Sequence, residues 1–259
     1  MFERIFILEN RKIIGVEKEK KKIEDLLKSC GKIVEKELKN PDLILTMGGD
    51  GTILKAIGLL KNQKTVIYGI NYGKIGFLTN SSENIEFKIK KVLEGDFKIS
   101  ERMVLELMIK KNHKTIYKSK VLNDFLIFRK GIRIVEILVY IDGKEVFNFR
   151  GDGIIISTPT GSTAHSLSAG GPIICSDMEC ILLTPLCPYS LNTRSLVISS
   201  DKKIKIKISP QGKIIEDGQR ENKIGKGEEI EIEKSKIKAK LIIEEDFFEK
   251  LKTKFNFGR

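Results

Sequence analysis

The sequence predicts an α/β protein, in which an α/β domain with a parallel sheet is followed by a larger, mostly β domain. Strand and helix patterns alternate over the first 96 residues, which is typical of a parallel sheet covered by helices. From about residue 97 the apolar residues recur at every second position, which is typical of half-buried strands. We therefore predict domains at residues 1–96 and 97–244, with residues 245–259 returning to the first domain as a C-terminal helix or tail.

The elements of the first domain follow from the spacing of its apolar residues. Short apolar runs predict buried strands, and apolar residues three or four apart predict amphipathic helices. Because strands and helices alternate, we expect a Rossmann-like sheet. In chain order we predict a strand at Arg4 to Leu8, a helix at Val16 to Ser29, a strand at Asp42 to Met47, a helix at Thr52 to Leu60, a strand at Thr65 to Ile70 and a helix at Glu83 to Leu93.

The second domain is predicted to be β-sandwich-like because its strand patterns are joined by short, glycine-containing turns. Asp142-Gly143 is typical of a two-residue hairpin turn. A terminal helix, Asp246 to Lys254, is expected to pack on the first domain. The predicted strands are Val104 to Ile109, Val121 to Phe128, Ile134 to Ile141, Val146 to Ile156, Ile204 to Ile208, Glu229 to Glu233 and Ile237 to Ile243.

The formal net charge of +12 over 259 residues raises the hypothesis of a nucleic-acid-binding protein. The lysines, however, are spread along the whole chain. Their densest group, Lys18 and Lys20 to Lys22, is interleaved with glutamates in a helical pattern, which is typical of a solvated helix face. We therefore predict no nucleic-acid partner, and the basic character also suits a polyanionic small-molecule substrate.

Export, membrane insertion and a protein-built metal site are all expected to be absent. No apolar run reaches the roughly 18 residues that cross a bilayer, and the N-terminus lacks the features of a signal peptide. The four cysteines fit no zinc spacing, so free thiols in a reducing compartment are predicted. We expect a cytoplasmic protein without a membrane partner.

The segment Gly48-Gly49-Asp50-Gly51-Thr52 stands where a buried strand runs into a helix. Ligands of open α/β sheets bind at the carboxyl ends of strands. Gly48 and Gly49 would let the backbone approach a phosphate, and a helix N-terminus favours anions. Asp-Gly is also common in ordinary turns, so this motif alone leaves a plain turn open.

Two further segments place polar groups beside apolar strands. Ser157 to Thr163 has five hydroxyl side chains in seven positions, and neutral hydroxyls and backbone amides can bind a ribose or a phosphate. An ordinary capped loop is the alternative. Asn123-Asp124 pairs an amide with an acid, a combination that can bind an amino group and a vicinal diol. A β-bulge or turn would explain the same two residues.

Together these segments resemble the NAD kinase family, whose members transfer a phosphoryl group to the 2′-hydroxyl of the adenosine ribose of NAD. The resemblance covers most of the chain and rests on Gly48 to Thr52, Asn71 to Thr79, Asn123-Asp124 and Asp152 to Pro172. The last segment is highly specific. The first is shared with diacylglycerol and sphingosine kinases and with phosphofructokinases, so a lipid kinase is the alternative enzyme. A nucleotide sensor without catalysis is the non-enzymatic alternative, against which Asp50 argues.

The resemblance implies a role for individual positions. Asp50 is expected to be the catalytic proton acceptor, with Gly51 touching the substrate and Lys55 near the dinucleotide phosphates. The other substrate-binding positions that it implies are Asn123, Asp124, Arg133, Arg150, Asp152, Thr160, Thr163, Ala164, His165, Ser166, Leu167, Ser168 and Gln219.

The resemblance further implies NAD and ATP as substrates, with Mg²⁺ or another divalent cation carried on the ATP phosphates. Family members are homodimers or homotetramers, and a neighbouring subunit supplies some of the contacts that match Arg133, Arg150 and Asp152. The chain departs from the family at two positions. It has Asn123-Asp124 where Asn-Glu is usual, which shortens the acid, and His165 where Tyr is usual, which affects stacking and the preference between NAD and NADH.

Overall fold

The computed structural model describes residues 2–60, 62–73 and 76–257. Lys74 and Ile75, which belong to one motif of the family resemblance, lie outside the described residues. The same holds for Met1, the first residue of the first predicted domain, and for residues 258–259 at the end of the predicted C-terminal segment. The chain divides into two compact units, residues 1–101 with 239–259 and residues 102–238. The first contains helices and a largely parallel sheet, and the second is almost entirely β, which confirms the predicted fold class.

The first unit is built on a seven-stranded sheet. Its strands, numbered in chain order over the described residues, are β1 (Arg4–Glu9), β2 (Ile33–Glu35), β3 (Leu43–Gly48), β4 (Val66–Asn71), β5 (Asn80–Ser81), β6 (Lys98–Arg102) and β19 (Ala239–Ile243). They are ordered β2-β1-β3-β4-β19-β6, and β5 pairs with β4. β1 pairs in parallel with both β2 and β3, so the direction of winding reverses between β1 and β3.

Helices cover both faces of this sheet, which explains why β3 and β4 are buried along their whole length and mostly apolar. The helices are α1 (Val16–Ser29), α2 (Asp50–Gly58), α3 (Ile85–Glu94) and α5 (Phe247–Phe255). One cluster joins Ile23 of α1 and Ile89 of α3 to Leu45 of β3. On the other face Ile53 of α2 packs so closely on Gly69 that a Cβ there would lie 2.3 Å from Ile53 Cδ1. No helix among the described residues is long and apolar enough to span a membrane.

The two compact units meet at 101/102 and 238/239, five or six residues from the predicted boundaries at 96/97 and 244/245. The segment Ile237 to Ile243 was expected in the β domain. It forms β19 instead, which lies parallel to β4 with Leu241 opposite Ile67. A short apolar run does not encode which strand it will pair with, and this partner lies more than 170 residues away in the sequence.

The second unit is a sandwich of two six-stranded antiparallel sheets that share one apolar core. Its strands are β7 (Leu105–Lys111), β8 (Lys114–Val121), β9 (Asp124–Arg129), β10 (Val135–Ile141), β11 (Lys144–Gly151), β12 (Gly153–Ser157), β13 (Cys180–Leu186), β14 (Leu196–Ser199), β15 (Ile204–Ser209), β16 (Gly212–Glu216), β17 (Arg220–Ile224) and β18 (Glu229–Lys234). The sheets are ordered β11-β10-β15-β18-β7-β8 and β14-β13-β12-β9-β16-β17. A 3-10 turn at Thr160–Thr163 and a short helix α4 at His165–Ser168 follow β12.

Two predicted strands are each divided in the structure. The run Val121 to Phe128 bends at Leu122-Asn123 between β8 and β9, and the run Val146 to Ile156 is broken at Asp152 between β11 and β12. Apolar periodicity missed both breaks because the residues around them are buried. The breaks leave Asn123 and Asp152, two predicted site residues, at strand ends.

Candidate active site

The glycine-rich turn ends β3 and begins α2 without an intervening loop. The helix starts at Asp50, two residues before the predicted start at Thr52. Gly48 is required by close packing, since a Cβ there would lie 2.1 Å from Thr52 Oγ1 and 3.2 Å from Asn10 Cβ. Asn10 directly follows β1, so this turn lies where the winding of the sheet reverses, the usual ligand position in such sheets.

The carboxylate of Asp50 does not cap its own turn. Oδ2 accepts the backbone N–H of Phe77 at 2.6 Å, and Oδ1 accepts the N–H groups of Leu78 and Thr79 at 3.1 and 3.2 Å and the Thr79 hydroxyl at 3.1 Å. Gly76 lies against it, since a Cβ there would be 1.7 Å from Oδ1. Asp50 therefore connects the turn to the segment Gly76 to Thr79, which we call the anchor loop.

The terminal helix α5 packs on the anchor loop. The C-terminal segment was predicted to return to the first domain in this way. The ring of Phe77 lies 5.3 Å from that of Phe255, and Lys254 Nζ lies 4.7 Å from the centre of the Phe77 ring. Burial lowers the pKa of Lys254, and the nearby Asp50 carboxylate opposes that shift. Sequence reasoning assigned no role to these residues; the apolar stripe of a terminal helix was the only signal.

In the second unit, a partly buried acid holds the Asn123-Asp124 segment. The carboxylate of Asp217 accepts the backbone N–H groups of Leu122 at 3.0 Å, Asn123 at 2.7 Å and Asp124 at 3.2 Å. Burial raises the pKa of Asp217 to about 7, although these donors favour its ionised form. Asp217 was not predicted as a site residue. Its signal was the Asp217-Gly218 dipeptide, whose φ values of 49° and 65° form the turn between β16 and β17.

Several hydroxyl groups at the end of β12 and after it form hydrogen bonds within the protein. Ser157 Oγ donates to the Asn123 carbonyl at 3.1 Å, and Thr158 Oγ1 donates to the Leu122 carbonyl at 2.5 Å. Ser162 Oγ is likewise bonded to backbone groups. These bonds lock the loop against the Asn123 bend, so the expected site residues Asn123, Asp124 and Thr160 to Ser168 are brought together.

Of the predicted residues on this loop, Ser166 is buried with its hydroxyl 2.8 Å from that of Thr184, and Thr163 Oγ1 donates to the Thr160 carbonyl at 3.2 Å. Ala164 separates the 3-10 turn from α4, while Leu167 and Ser168 belong to α4. Thr160 is buried.

His165 and Asp124, the two departures from the family pattern, lie side by side. His165 Nδ1 is 3.6 Å from Asp124 Oδ1, and the side chains are 55% and 1% exposed. No hydrogen-bond partner for Asp124 Oδ1 exists among the described residues. The attraction to this carboxylate raises the pKa of His165. The Asp124 carboxylate is thus a buried hydrogen-bond acceptor with the half-exposed imidazole of His165 beside it.

The remaining predicted residues occupy other positions. Asp152 forms an ion pair with Arg129, whose Nε lies 2.7 Å from Oδ1. Sequence reasoning had not connected these two residues. Arg133 precedes β10, Arg150 lies on β11, and Lys55 lies on α2, all three exposed. Gln219 is exposed in the turn that contains Asp217, and its N–H donates to the Glu216 carbonyl at 2.8 Å.

A methyl group at Gly161 is expected to disturb the part of the site that the family resemblance assigns to the nucleotide. A Cβ there would lie 2.2 Å from the Asn123 carbonyl oxygen, so Gly161→Ala must displace the bend that carries Asn123. We expect the KM for the nucleotide to rise at least about tenfold, since small displacements of positioning groups are costly. Gly131→Ala, with open space around its Cβ, is the control. Steady-state kinetics of both variants test this, and unchanged KM values for Gly161→Ala would contradict it.

The His165–Asp124 pair is expected to make nucleotide affinity depend on pH. The folded-state pKa of His165 is raised above its ordinary value of 6.5, so the ion pair is fully formed below that value and is lost as pH rises through the raised pKa. If Asp124 accepts hydrogen bonds from the substrate, the imidazolium competes with the substrate at low pH. We expect KM to fall about two- to fivefold on raising the pH, the range of an exposed ion pair.

The matched variant for this pH dependence is His165→Phe, which keeps a ring but does not titrate. Asp217 titrates in the same range but is present in both proteins, so the difference between their KM profiles isolates His165. Parallel profiles would contradict the prediction.

The described residues contain no group of three or more His, Cys, Asp or Glu side chains placed to hold a metal ion. Mg²⁺ is commonly held by one or two carboxylates together with substrate phosphates. Asp50 is the carboxylate at the glycine-rich turn.

Comparison with known proteins shows clear similarity in both units. Residues 8–97 match the family model described as ATP-NAD kinase N-terminal domain, and residues 122–243 match the ATP-NAD kinase C-terminal domain. An NAD kinase of Citrifermentans bemidjiense is 38% identical over 225 residues, which cover 84% of this chain and 78% of that protein. A bifunctional NADP phosphatase/NAD kinase of Methanocaldococcus jannaschii is 40% identical over 80% of this chain and 37% of its own length.

Solved structures resemble the whole fold. The yeast NADH kinase complexed with NADH superposes with a TM-score of 0.90 at 24% identity, over 99% of this chain and 88% of that one. An NAD kinase from Archaeoglobus fulgidus in complex with ATP superposes with a TM-score of 0.80 at 29% identity, over 98% and 97% of the two chains.

Proposed function

The chain belongs to the NAD kinase family and is a phosphotransferase, and on that premise we propose that it transfers the γ-phosphoryl group of ATP to the 2′-hydroxyl of the adenosine ribose of NAD, giving NADP. In this proposal Asp50 is the general base. The second unit supplies the nucleotide-binding groups, foremost Asn123 and Asp124.

The position of the Asp50 carboxylate carries the proposal. It lies at the N-terminus of α2, directly after the carboxyl end of β3 and at the reversal of winding. Oδ2 accepts the Phe77 N–H, and because a carboxylate oxygen has two lone pairs, a second one can accept a substrate hydroxyl. The backbone at Gly49 is open, since a Cβ there would meet nothing within 4 Å. These features support a carboxylate acting beside a phosphate.

Phosphoryl transfer passes through a loose transition state, so the protein contributes mainly by positioning and by neutralising charge. We propose that Gly48 and Gly49 approach the phosphates of ATP through their backbone and that Mg²⁺ enters on those phosphates. The O–P bond to the 2′-oxygen forms as the bond from the γ-phosphorus to the β-phosphate oxygen breaks. Asp50 accepts the hydroxyl proton late in this step.

The nucleotide is proposed to contact the buried Asp124 carboxylate, whose Oδ1 has no hydrogen-bond partner within the described part of the chain. A buried acceptor of this kind is costly unless a donor reaches it, and an amino group or a ribose hydroxyl supplies one. Asn123, held by the Asp217 carboxylate, lies beside it. This arrangement supports a nucleotide rather than an acyl chain as the acceptor substrate.

A side-by-side assay tests NAD as the acceptor substrate against the lipid-kinase alternative. The protein is incubated with Mg²⁺ and ATP and with either NAD or dispersed diacylglycerol or sphingosine at matched concentrations, and transfer of labelled phosphate is measured. We expect transfer to NAD alone. Transfer to a lipid but not to NAD would overturn the proposal. Replacing ATP by inorganic polyphosphate in the same assay establishes the range of donors.

We further propose that the protein forms a homodimer or homotetramer. Arg133 and Arg150, which match positions with inter-subunit contacts in the family, are exposed, and neither guanidinium forms an ion pair or hydrogen bond with any described residue. Light scattering is expected to give a multiple of 29.3 kDa, and a monomer at working concentration would contradict this.

The four free cysteines support a reducing compartment, so we propose a cytoplasmic location.

A further inference from the structure

Lys250 is a buried cation on the inner side of α5. It is only 6% exposed, and its Nζ lies 3.0 Å from the carbonyl oxygen of Phe77 and 3.1 Å from that of Thr79. Burying an ammonium group is costly, and the cost is offset here by hydrogen bonds to backbone carbonyls of the anchor loop. A methionine of similar length would fill the same space without this cost, so the charge calls for an explanation beyond packing.

The same loop faces Asp50 with its N–H groups. The peptide unit between Phe77 and Leu78 is shared, because its carbonyl accepts from Lys250 at 3.0 Å and its N–H donates to Asp50 Oδ1 at 3.1 Å. One amide therefore lies between a buried ammonium and a carboxylate, with its dipole aligned to both. Hydrogen bonds in such a chain polarise and strengthen one another.

We propose that Lys250 is a positioning residue for phosphoryl transfer: through the anchor loop it fixes the orientation of the Asp50 carboxylate, which makes the C-terminal helix part of the catalytic apparatus. Lys250 touches the loop and acts on the reaction only through Asp50. The inference rests on the proposed function, because it takes Asp50 as the proton acceptor.

A purely structural role for Lys250, attaching α5 to the first unit, predicts different behaviour. Phe77 also attaches α5 through its contacts with Phe247 and Phe255 at 6.5 and 5.3 Å between ring centroids. Loss of attachment alone would lower stability and leave the turnover of folded protein unchanged. A positioning role instead lowers kcat and leaves the KM for NAD nearly constant, since Asn123 and Asp124, the foremost nucleotide-binding groups of the proposal, belong to the second unit.

The test compares Lys250→Met with Lys252→Met, which removes an exposed cation from the same helix. We expect kcat of Lys250→Met to fall about ten- to a hundredfold, the range for a displaced catalytic group, with KM for NAD within about twofold. Lys252→Met should match the wild type. The double variant Lys250→Met, Asp50→Asn should turn over no more slowly than Asp50→Asn, because effects on residues acting as a unit are not additive. A kcat of Lys250→Met within about twofold of wild type, or additive losses, would overturn the inference.

Two further measurements keep the outcomes distinct. If Asp50→Asn alone retains its kcat, the base assignment fails. Hydrogen exchange at the amides of residues 77–79 then tests whether Lys250 holds the anchor loop. Faster exchange in Lys250→Met supports this coupling, and unchanged exchange contradicts it. If Lys250→Met does not fold, the reverse coupling is measured in Asp50→Ala. Coupling is reciprocal, so exchange in residues 247–255 should accelerate there, and unchanged exchange would refute the inference.

Discussion

Asp50→Asn is expected to lower kcat by roughly 10² to 10⁴, the usual contribution of a general base. The substitution removes the proton acceptor and also disturbs the anchor loop. Asp50 accepts N–H groups at both carboxylate oxygens, so the amide NH₂ of Asn must face a donor, either Phe77 N–H or the N–H groups of Leu78 and Thr79. Asn is therefore a poorer mimic here than in an ordinary turn, where it would be among the best replacements.

Thr79→Val separates the two effects of Asp50→Asn. It removes only the hydroxyl bond to Asp50 Oδ1 and keeps the carboxylate and all the backbone donors. We expect its kcat to remain within about tenfold of wild type. A kcat of Asp50→Asn within a few-fold of wild type would end the base assignment. A loss of NAD affinity as large as the loss in kcat/KM would make Asp50 a substrate anchor instead.

Gly76→Ala is expected to have the second large effect. A Cβ at this position would lie 1.7 Å from Asp50 Oδ1, 2.4 Å from Asp50 Cγ and 2.5 Å from Thr79 Oγ1, so the carboxylate and the loop cannot both keep their places. We expect kcat to fall at least about a hundredfold. Overpacking of this kind also costs about 1–3 kcal/mol of folding free energy, which lowers Tm by several degrees.

Gly73→Ala is the matched control, because the nearest atom to its Cβ within the described part of the chain, Asn71 Oδ1, is 3.8 Å away. Its kinetics and thermal unfolding should equal those of the wild type. Near-wild-type turnover of Gly76→Ala would show that the position of the Asp50 carboxylate, as the structure has it, is not needed for catalysis.

Much of the fold could be predicted because it depends on local patterns. The helix Val16–Ser29 and the hairpin at Asp142-Gly143 have local sequence patterns that favour one backbone conformation, and both were predicted where they occur. The pairing of strands that are distant in the sequence could not be predicted. The pairing of Ala239–Ile243 with β4 is decided by contacts across most of the chain, and strand periodicity carries no information about distant partners.

Candidate site residues were predicted where glycines and acids interrupt apolar strands, as at Gly48 to Asp50 and Asn123-Asp124. The residues that hold these groups in place were not predicted. Asp217 looked like a turn residue and Lys250 like one lysine among many, because their roles arise from hydrogen bonds to backbone groups far away in the sequence. Backbone donors and acceptors are the same at every residue, so such contacts leave no trace in side-chain patterns.

Identification of the product is the most direct test of the central claim. The protein is incubated with NAD, ATP and Mg²⁺, and the product is offered to a dehydrogenase that accepts NADP but not NAD. We predict one NADP formed for each ATP consumed, with formation abolished or strongly reduced in Asp50→Asn. Consumption of ATP without NADP, or NADP formed equally fast by Asp50→Asn, would contradict the account.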